Sequence, residues 1–149
     1  MGPREFHRRA SQLVGGTSPA EFRTAISRAY YATYNVAVEI LQDMGFRINK
    51  GPAGHGDVQN RLSNCGDAEV MGVGSQLTDL HSRRIQADYR LDRTDVENIK
   101  TARALVEQAR RMIQTLDGCR SDPRRGQVIT AIQDWEQKVS GPGHPPKTD

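Results

Sequence analysis

The sequence predicts an all-α protein: an up-and-down antiparallel bundle of four to five helices, followed by an extra short C-terminal helix. Apolar residues recur at steps of three and four along most of the 149 residues, which is the helical period. No segment sustains the alternating pattern of a half-buried β-strand. Short polar links join the helical segments, and such links are typical of antiparallel neighbours.

The longest predicted helix runs from Ser18 to Gly45. Ser18 and Glu21 form a capping box, in which the serine accepts a hydrogen bond from the backbone amide of the glutamate. Gly45 supplies the left-handed residue that commonly ends a helix. Two adjoining apolar stripes lie between these ends, so we expect this helix to pack against more than one neighbour.

The string RAYYATY, residues 28–34, lies within this helix and holds three of the four tyrosines. A buried phenol needs a hydrogen-bond partner, so clustered tyrosines mark either a core with polar tips or a contact surface. The residues themselves leave both interpretations open.

Four further segments are predicted before residue 94. Residues 5–14 form a first short helix. Residues 51–56 form a glycine-rich loop that contains His55 and is expected to be flexible and exposed. Asp57 caps a short helix that ends at Gly66, and Asp67 caps the next helical segment.

A second long helix is predicted from the capping box Thr94-Asp95-Val96-Glu97 to Gly118, antiparallel to the first. The composition changes after Gly118. We therefore divide the chain into a bundle, residues 1–118, and a second part, residues 119–149, with a linker, a short amphipathic helix and a disordered tail.

Trp135 lies on the apolar stripe of the short C-terminal helix. This helix either folds back onto the bundle or docks a partner protein. Fold-back is favoured, because an exposed tryptophan beside four aliphatic residues would be a sticky surface.

Charge and composition limit the classes of protein only loosely. A net charge of +3 permits a nucleic-acid partner without requiring one. No apolar run reaches the roughly 18 residues of a membrane span, and no secretory-type segment begins the chain, so we expect a cytoplasmic protein without a membrane partner. Cys65 and Cys119 lack metal-ligand spacing and are expected to be free thiols.

Residues 81–90, HSRRIQADYR, gather the side chains best suited to chemistry. Arginines can grip phosphate, and His81, Asp88 and Tyr89 are groups that can move protons. The alternative is an ordinary helix end, in which arginines balance the macrodipole and Arg84 pairs with Asp88 one turn away. The four histidines are dispersed, and no Glu-x-x-His motif occurs, so we expect neither a metal nor a cofactor.

Two strings, RTAISRAYYATYNVAVEIL and RRIQADY, with His55 between them, resemble the HEPN superfamily (higher eukaryotes and prokaryotes nucleotide-binding). The likeness is to small stand-alone prokaryotic members and covers about residues 8–116. It implies a helical bundle that is usually a homodimer, often encoded beside toxin–antitoxin or phage-defence partners such as a minimal nucleotidyltransferase. Active members are metal-independent endoribonucleases with an Arg-x4-6-His motif at a dimer cleft, where both residues promote attack of a ribose 2′-hydroxyl on the neighbouring phosphate.

This sequence departs from that motif, because Asp88, Tyr89 or Arg90 stands where the histidine is expected. The resemblance therefore favours a dimeric protein that binds RNA, a nucleotide or a partner protein in a toxin–antitoxin or defence-type system. The predicted RNA- or nucleotide-binding residues are Arg28, Tyr31, His55, Arg83, Arg84 and Tyr89.

Two alternatives remain. In the first, the chain is an active metal-independent endoribonuclease toxin, with Arg84, Asp88 and His81 as catalytic residues and His55 as a second candidate proton carrier. In the second, it is a structural or antitoxin subunit that binds a protein through its C-terminal helix.

Overall fold

The computed structural model describes residues 2–140, and within them the chain forms six α-helices and no strand. This confirms the predicted all-α bundle. None of the helices in this range is long and apolar enough to cross a membrane. The tail predicted to be disordered falls on residues 141–149, outside the described part. The helices are α1 (Pro3–Leu13), α2 (Pro19–Asp43), α3 (Ala53–Ser63), α4 (Ala68–Tyr89), α5 (Ile99–Gly118) and α6 (Arg124–Val139), and a 3-10 helix, η1 (Thr94–Glu97), precedes α5.

Helix α2 is the central element and packs against α1, α4 and α5. Its predicted end signals are confirmed. The Ser18 hydroxyl oxygen accepts a hydrogen bond from the Glu21 amide at 3.2 Å. Gly45 has a φ of 97°, a conformation that side chains with a β-carbon rarely adopt, so the chain can turn away there.

The hydrophobic core runs the length of α2 and includes side chains from every helix. Fully burying one large apolar side chain contributes about 1.5–3 kcal/mol. In α6, Val128 and Ile132 are buried in this core, so the fold-back predicted for the C-terminal helix is confirmed. Trp135 is half-buried on the same helix. The division of the chain at residue 118 stays a prediction.

The predicted loop at residues 51–56 is wrong, because α3 already begins at Ala53. Gly54 is buried, and a β-carbon there would overlap the Asn49 carbonyl and the Tyr34 hydroxyl. Asp57 does not cap a helix; its carboxylate accepts a hydrogen bond from the Asn49 amide at 2.9 Å. The small residues therefore allow close packing of the first turn of α3, and His55 lies on a helix.

The capping box predicted at Thr94 does not start the second long helix. Residues 94–97 form η1, and α5 begins at Ile99, with the Asn98 side chain accepting from the Lys100 amide at 2.8 Å. The reason lies in Glu97, whose carboxylate accepts a hydrogen bond from Arg23 Nε at 2.9 Å. Because Glu97 pairs with α2, it is drawn away from the role that the sequence pattern assigns to it.

Arg23 is a buried structural residue that the sequence analysis missed. The last carbonyls of a helix have no hydrogen-bond donor within that helix. Arg23, which lies on α2, is the donor for the carbonyls at the end of α4. It thereby fixes where α4 ends and how the chain reaches η1. Its two Nη atoms donate to the carbonyl oxygens of Gln86, Ala87, Arg90, Leu91 and Arg93 at 2.8–3.4 Å.

Candidate functional site

Three helices bring the candidate site together at one end of the bundle. Helix α2 supplies tyrosines, α3 supplies one histidine, and α4 supplies a histidine, an arginine and an aspartate at steps of three and four. We call this group the His–Arg cluster, and it consists of Tyr30, Tyr31, Tyr34, His55, His81, Arg84 and Asp88.

The two histidines of the cluster stack on each other. Their ring centroids are 4.6 Å apart, and the ring planes differ by 13°. Tyr30 stacks on His81 at 4.9 Å, and Tyr34 stacks on His55 at 4.4 Å. The Tyr30 hydroxyl is hydrogen-bonded to Nδ1 of His55. Both imidazoles are therefore held in fixed orientations, although 26 positions separate them in the sequence.

Burial and neighbouring charge keep these imidazoles neutral near pH 7. Burial, and then the positive charge of Arg84, lower the pKa of His55. Burial, His55 and Arg84 lower the pKa of His81 in the same direction. A neutral imidazole has a nitrogen that can accept a proton. Burial raises the pKa of Tyr30, so its phenol keeps its proton and can donate to His55.

Arg84 lies between the aromatic rings of Tyr31 and Tyr89, 5.0 and 5.4 Å from their centroids. Its Nη2 donates to the Tyr31 hydroxyl at 2.5 Å. Its Nε lies 2.9 Å from Asp88 Oδ2, but this buried N–H has no aligned acceptor. The guanidinium is thus held in place by an ion pair, a hydroxyl group and two aromatic rings.

Asp88 links Ser27 on α2 to Arg84 on α4. Its Oδ2 accepts a hydrogen bond from Ser27 Oγ at 3.0 Å and forms the ion pair with Arg84. The Asp88 side chain keeps 28% of its surface exposed. This carboxylate therefore serves to orient Arg84, as the helix-end interpretation of the sequence anticipated.

The structure brings most of the sequence-predicted site residues together, but not all of them. Tyr89 is 67% exposed and covers the outer side of Arg84. Arg28 is exposed beside the cluster, with its guanidinium carbon 5.6 Å from the Phe6 ring centroid. Arg83 points the other way and pairs with Asp95 at 2.7 Å, which ties α4 to η1.

Tyr30, Tyr34 and Ser27 belong to the site and were missed by sequence reasoning. Tyr30 and Tyr34 are four residues apart on one face of α2, which signalled a shared environment. Nothing in the sequence showed that His55 would lie against that face. His7 is separate from the cluster, with Nε2 3.1 Å from the Val106 carbonyl oxygen, and His144 lies outside the described residues.

Cys65 and Cys119 are free, as predicted, and both are buried. Burial raises the pKa of each thiol, so neither is an activated nucleophile. Within residues 2–140, no three histidine, cysteine or acidic side chains lie close enough to hold a metal ion together.

The arrangement offers two proton-transfer groups beside a cationic group, with aromatic rings around them. Such a set can bind a phosphodiester and move protons on its oxygens. Comparison of the chain with protein-family models, with curated proteins and with solved structures finds no match in any of the three.

Proposed function

We propose that this protein is a metal-independent endoribonuclease and that the His–Arg cluster is its active site. The observation that carries the proposal is the stacked pair of His55 and His81 beside Arg84. The pair supplies in space the imidazole that is missing from the Arg-x4-6-His spacing in the sequence. The resemblance of two sequence strings to the HEPN superfamily supports the same chemistry.

In the proposed reaction, a neutral imidazole takes the proton of a ribose 2′-hydroxyl, and the 2′-oxygen forms a bond to the adjacent phosphorus. The bond from phosphorus to the 5′-oxygen breaks, and that oxygen takes the proton back from the imidazolium formed in the first step. Two stacked rings resist double protonation, so only one imidazole of the pair holds the transferred proton at a time. Arg84 stabilises the charge that develops on the phosphate oxygens. The products are a 2′,3′-cyclic phosphate and a 5′-hydroxyl.

The proposal is tested with purified full-length protein, a single-stranded RNA and excess EDTA. We expect cleavage that leaves 2′,3′-cyclic phosphate ends and that stops when the scissile nucleotide is 2′-deoxy. His81→Gln should reduce the rate by about 10²–10⁴-fold, the usual contribution of a general acid or base. The matched control His7→Gln changes a histidine outside the cluster and should cleave at the wild-type rate. No cleavage by the folded wild-type protein would contradict the proposal.

A second candidate function is RNA or nucleotide binding without cleavage. It is favoured by the Arg84 guanidinium between two tyrosines, one of them 67% exposed, because such a surface can stack a base. The same RNA distinguishes the two functions. If the protein binds this RNA without cleaving it, and if Tyr89→Ala weakens the binding, the second candidate function is favoured.

We further propose that the protein acts as a homodimer in the cytoplasm. Met71, Ile85 and Tyr89 lie on one side of α4 and are 36–67% exposed, and Leu91 beyond them is 80% exposed. This apolar face adjoins the His–Arg cluster, so a second copy packed on it would cover the site. Ile85→Glu should convert a dimer to a monomer in analytical ultracentrifugation. A wild-type monomer at high concentration would contradict the dimer.

The resemblance also supports a toxin–antitoxin or defence role with a cognate protein, such as a minimal nucleotidyltransferase. A structural or antitoxin subunit that docks through its C-terminal helix is less favoured, because Val128 and Ile132 are already buried in the core. Growth arrest on expression of the wild type, absent with His81→Gln, would support the toxin role.

A further inference from the structure

A cavity of about 400 Å³ lies between α1 and α2, next to the His–Arg cluster. This volume falls in the range of roughly 300–1,000 Å³ that small-molecule sites occupy. Glu5 and Arg9 are four positions apart on α1, and Thr24 and Arg28 are four positions apart on α2, so the cavity follows the groove between the two helices. They are Glu5, Phe6 and Arg9 from α1, and Thr24 and Arg28 from α2.

A row of aromatic rings connects this cavity to the candidate active site. The Phe6 ring lies 6.2 Å from the Tyr31 ring, and Tyr31 in turn contacts the Arg84 guanidinium at 5.0 Å. Along α2, Arg28 precedes Tyr31 by three residues, which is about 4.5 Å of helix rise. The Tyr31 ring therefore lies between the cavity wall and the Arg84 guanidinium, the group that we propose binds the scissile phosphate.

The chemistry of the cavity suits an unpaired base. The Arg28 guanidinium carbon lies 5.6 Å from the Phe6 ring centroid. Aromatic rings and arginine planes are the surfaces on which splayed RNA bases stack. Arg9 is exposed, and its Nη1 donates a hydrogen bond to the Gln12 side chain of the same helix at 3.2 Å. Its long side chain can therefore reach a phosphate.

We infer that this cavity is a nucleobase subsite for single-stranded RNA, an inference that rests on the proposed function. It receives the base of a nucleotide adjacent to the one cleaved. The base stacks against Phe6 and Arg28, and Arg9 contacts the backbone phosphate. A base held in a duplex cannot enter, so the subsite selects single-stranded RNA.

The test uses short oligonucleotides with one cleavable ribonucleotide and an abasic residue placed on its 5′ or 3′ side. We expect the abasic residue on one side to lower kcat/KM by about 5- to 150-fold, which corresponds to the loss of one stacked base. Phe6→Leu should produce a similar loss on the intact substrate and little further loss on the abasic one, because both changes remove the same contact. Arg28→Gln should act in the same direction.

Arg111→Gln is the matched control for loss of one positive charge, because the Arg111 side chain is 72% exposed on α5 and outside the cavity. It should cleave both substrates as the wild type does. If the wild type cleaves intact and abasic substrates equally well, the subsite is overturned while the proposed function stands. If the folded wild type cleaves no RNA, both fail. If Phe6→Leu does not fold, the exposed Arg28→Gln variant decides the outcome.

Discussion

Arg23 and Arg84 are similarly buried, with side chains 9% and 15% exposed, but they differ in what their guanidinium groups contact. Each lies 2.9 Å from a carboxylate, Glu97 for Arg23 and Asp88 for Arg84. Arg23 also donates to five backbone carbonyls, whereas Arg84 contacts two tyrosines and has one N–H without an acceptor. The fold uses the full hydrogen-bonding capacity of Arg23, whereas it holds Arg84 through one carboxylate, one hydroxyl group and two aromatic rings.

The difference follows from where each guanidinium lies relative to α4. Arg23 reaches the end of the helix, where the last carbonyls lack partners inside the helix. Arg84 lies within the helix, where the backbone groups are already paired, so only side chains can satisfy it. We therefore assign Arg23 to stability, whereas Arg84 is the arginine to which the proposed function gives a role.

The largest expected effect is the loss of Arg23. Arg23→Met should lower the free energy of unfolding by about 3–5 kcal/mol, because it leaves Glu97 and several helix-end carbonyls without their partner. Urea denaturation measures the change. Arg28→Met removes an exposed arginine from the same helix and should cost about 1 kcal/mol or less. Equal costs for the two variants would contradict the structural role of Arg23.

Loss of Arg84 should affect activity more than stability. Arg84→Gln should lower the RNA cleavage rate by about 10²–10³-fold, the usual cost of removing one donor that stabilises developing charge. Its free energy of unfolding should fall by only about 0.5–1.5 kcal/mol. The neighbouring Arg83→Gln, which breaks the exposed pair with Asp95, should leave cleavage unchanged. Equal rates for Arg84→Gln and Arg83→Gln would remove the distinction between these arginines.

Two glycines of α3 give a smaller effect that tests how His55 is positioned. Gly54→Ala should destabilise the protein by about 1–3 kcal/mol, because the added methyl group meets the Asn49 backbone and the Tyr34 hydroxyl. Gly56→Ala, two residues along, has no atom within 4 Å of the new methyl group and should be neutral or stabilising. Thermal unfolding separates the two variants. Equal melting temperatures would show that α3 does not need this close approach.

The smallest expected effect is a dependence of stability on pH. The folded protein lowers the pKa of His55 and His81 below the ordinary value of 6.5, so it binds fewer protons than the unfolded chain. Stability should therefore fall as pH drops below about 6.5 and level off below the lowered pKa values. The double variant His55→Gln, His81→Gln should show a shallower dependence in urea denaturation. An unchanged slope would mean that other groups cause it.

The helices were largely predictable because their signals are local. Ser18, Gly45 and Asp67 act within one turn of the chain, and the apolar period of α2 and α5 does not depend on distant residues. The errors occurred where a distant residue intervened. Glu97 pairs with Arg23 across 74 positions, so its capping pattern was misleading.

The candidate site was predictable only in part, for the same physical reason. Arg84 and Asp88 are one turn apart, so their pairing could be deduced from spacing. The stacking of His55 on His81 depends on how α3 packs against α4 and α2, which no local pattern encodes. Gly54, whose absent side chain permits the approach of α3, looked like part of a flexible loop.

The most direct test of the central claim follows the histidine ring signals by NMR while a 2′-O-methyl RNA hexamer is added to the wild-type protein. This RNA cannot be cleaved, because its 2′-oxygens are blocked. We predict that the chemical shifts of the His55 and His81 rings both change as RNA is added. Those of His7, which lies outside the His–Arg cluster, should remain unchanged. Binding of the hexamer with no change at His55 and His81 would contradict the assignment of the His–Arg cluster as the RNA site.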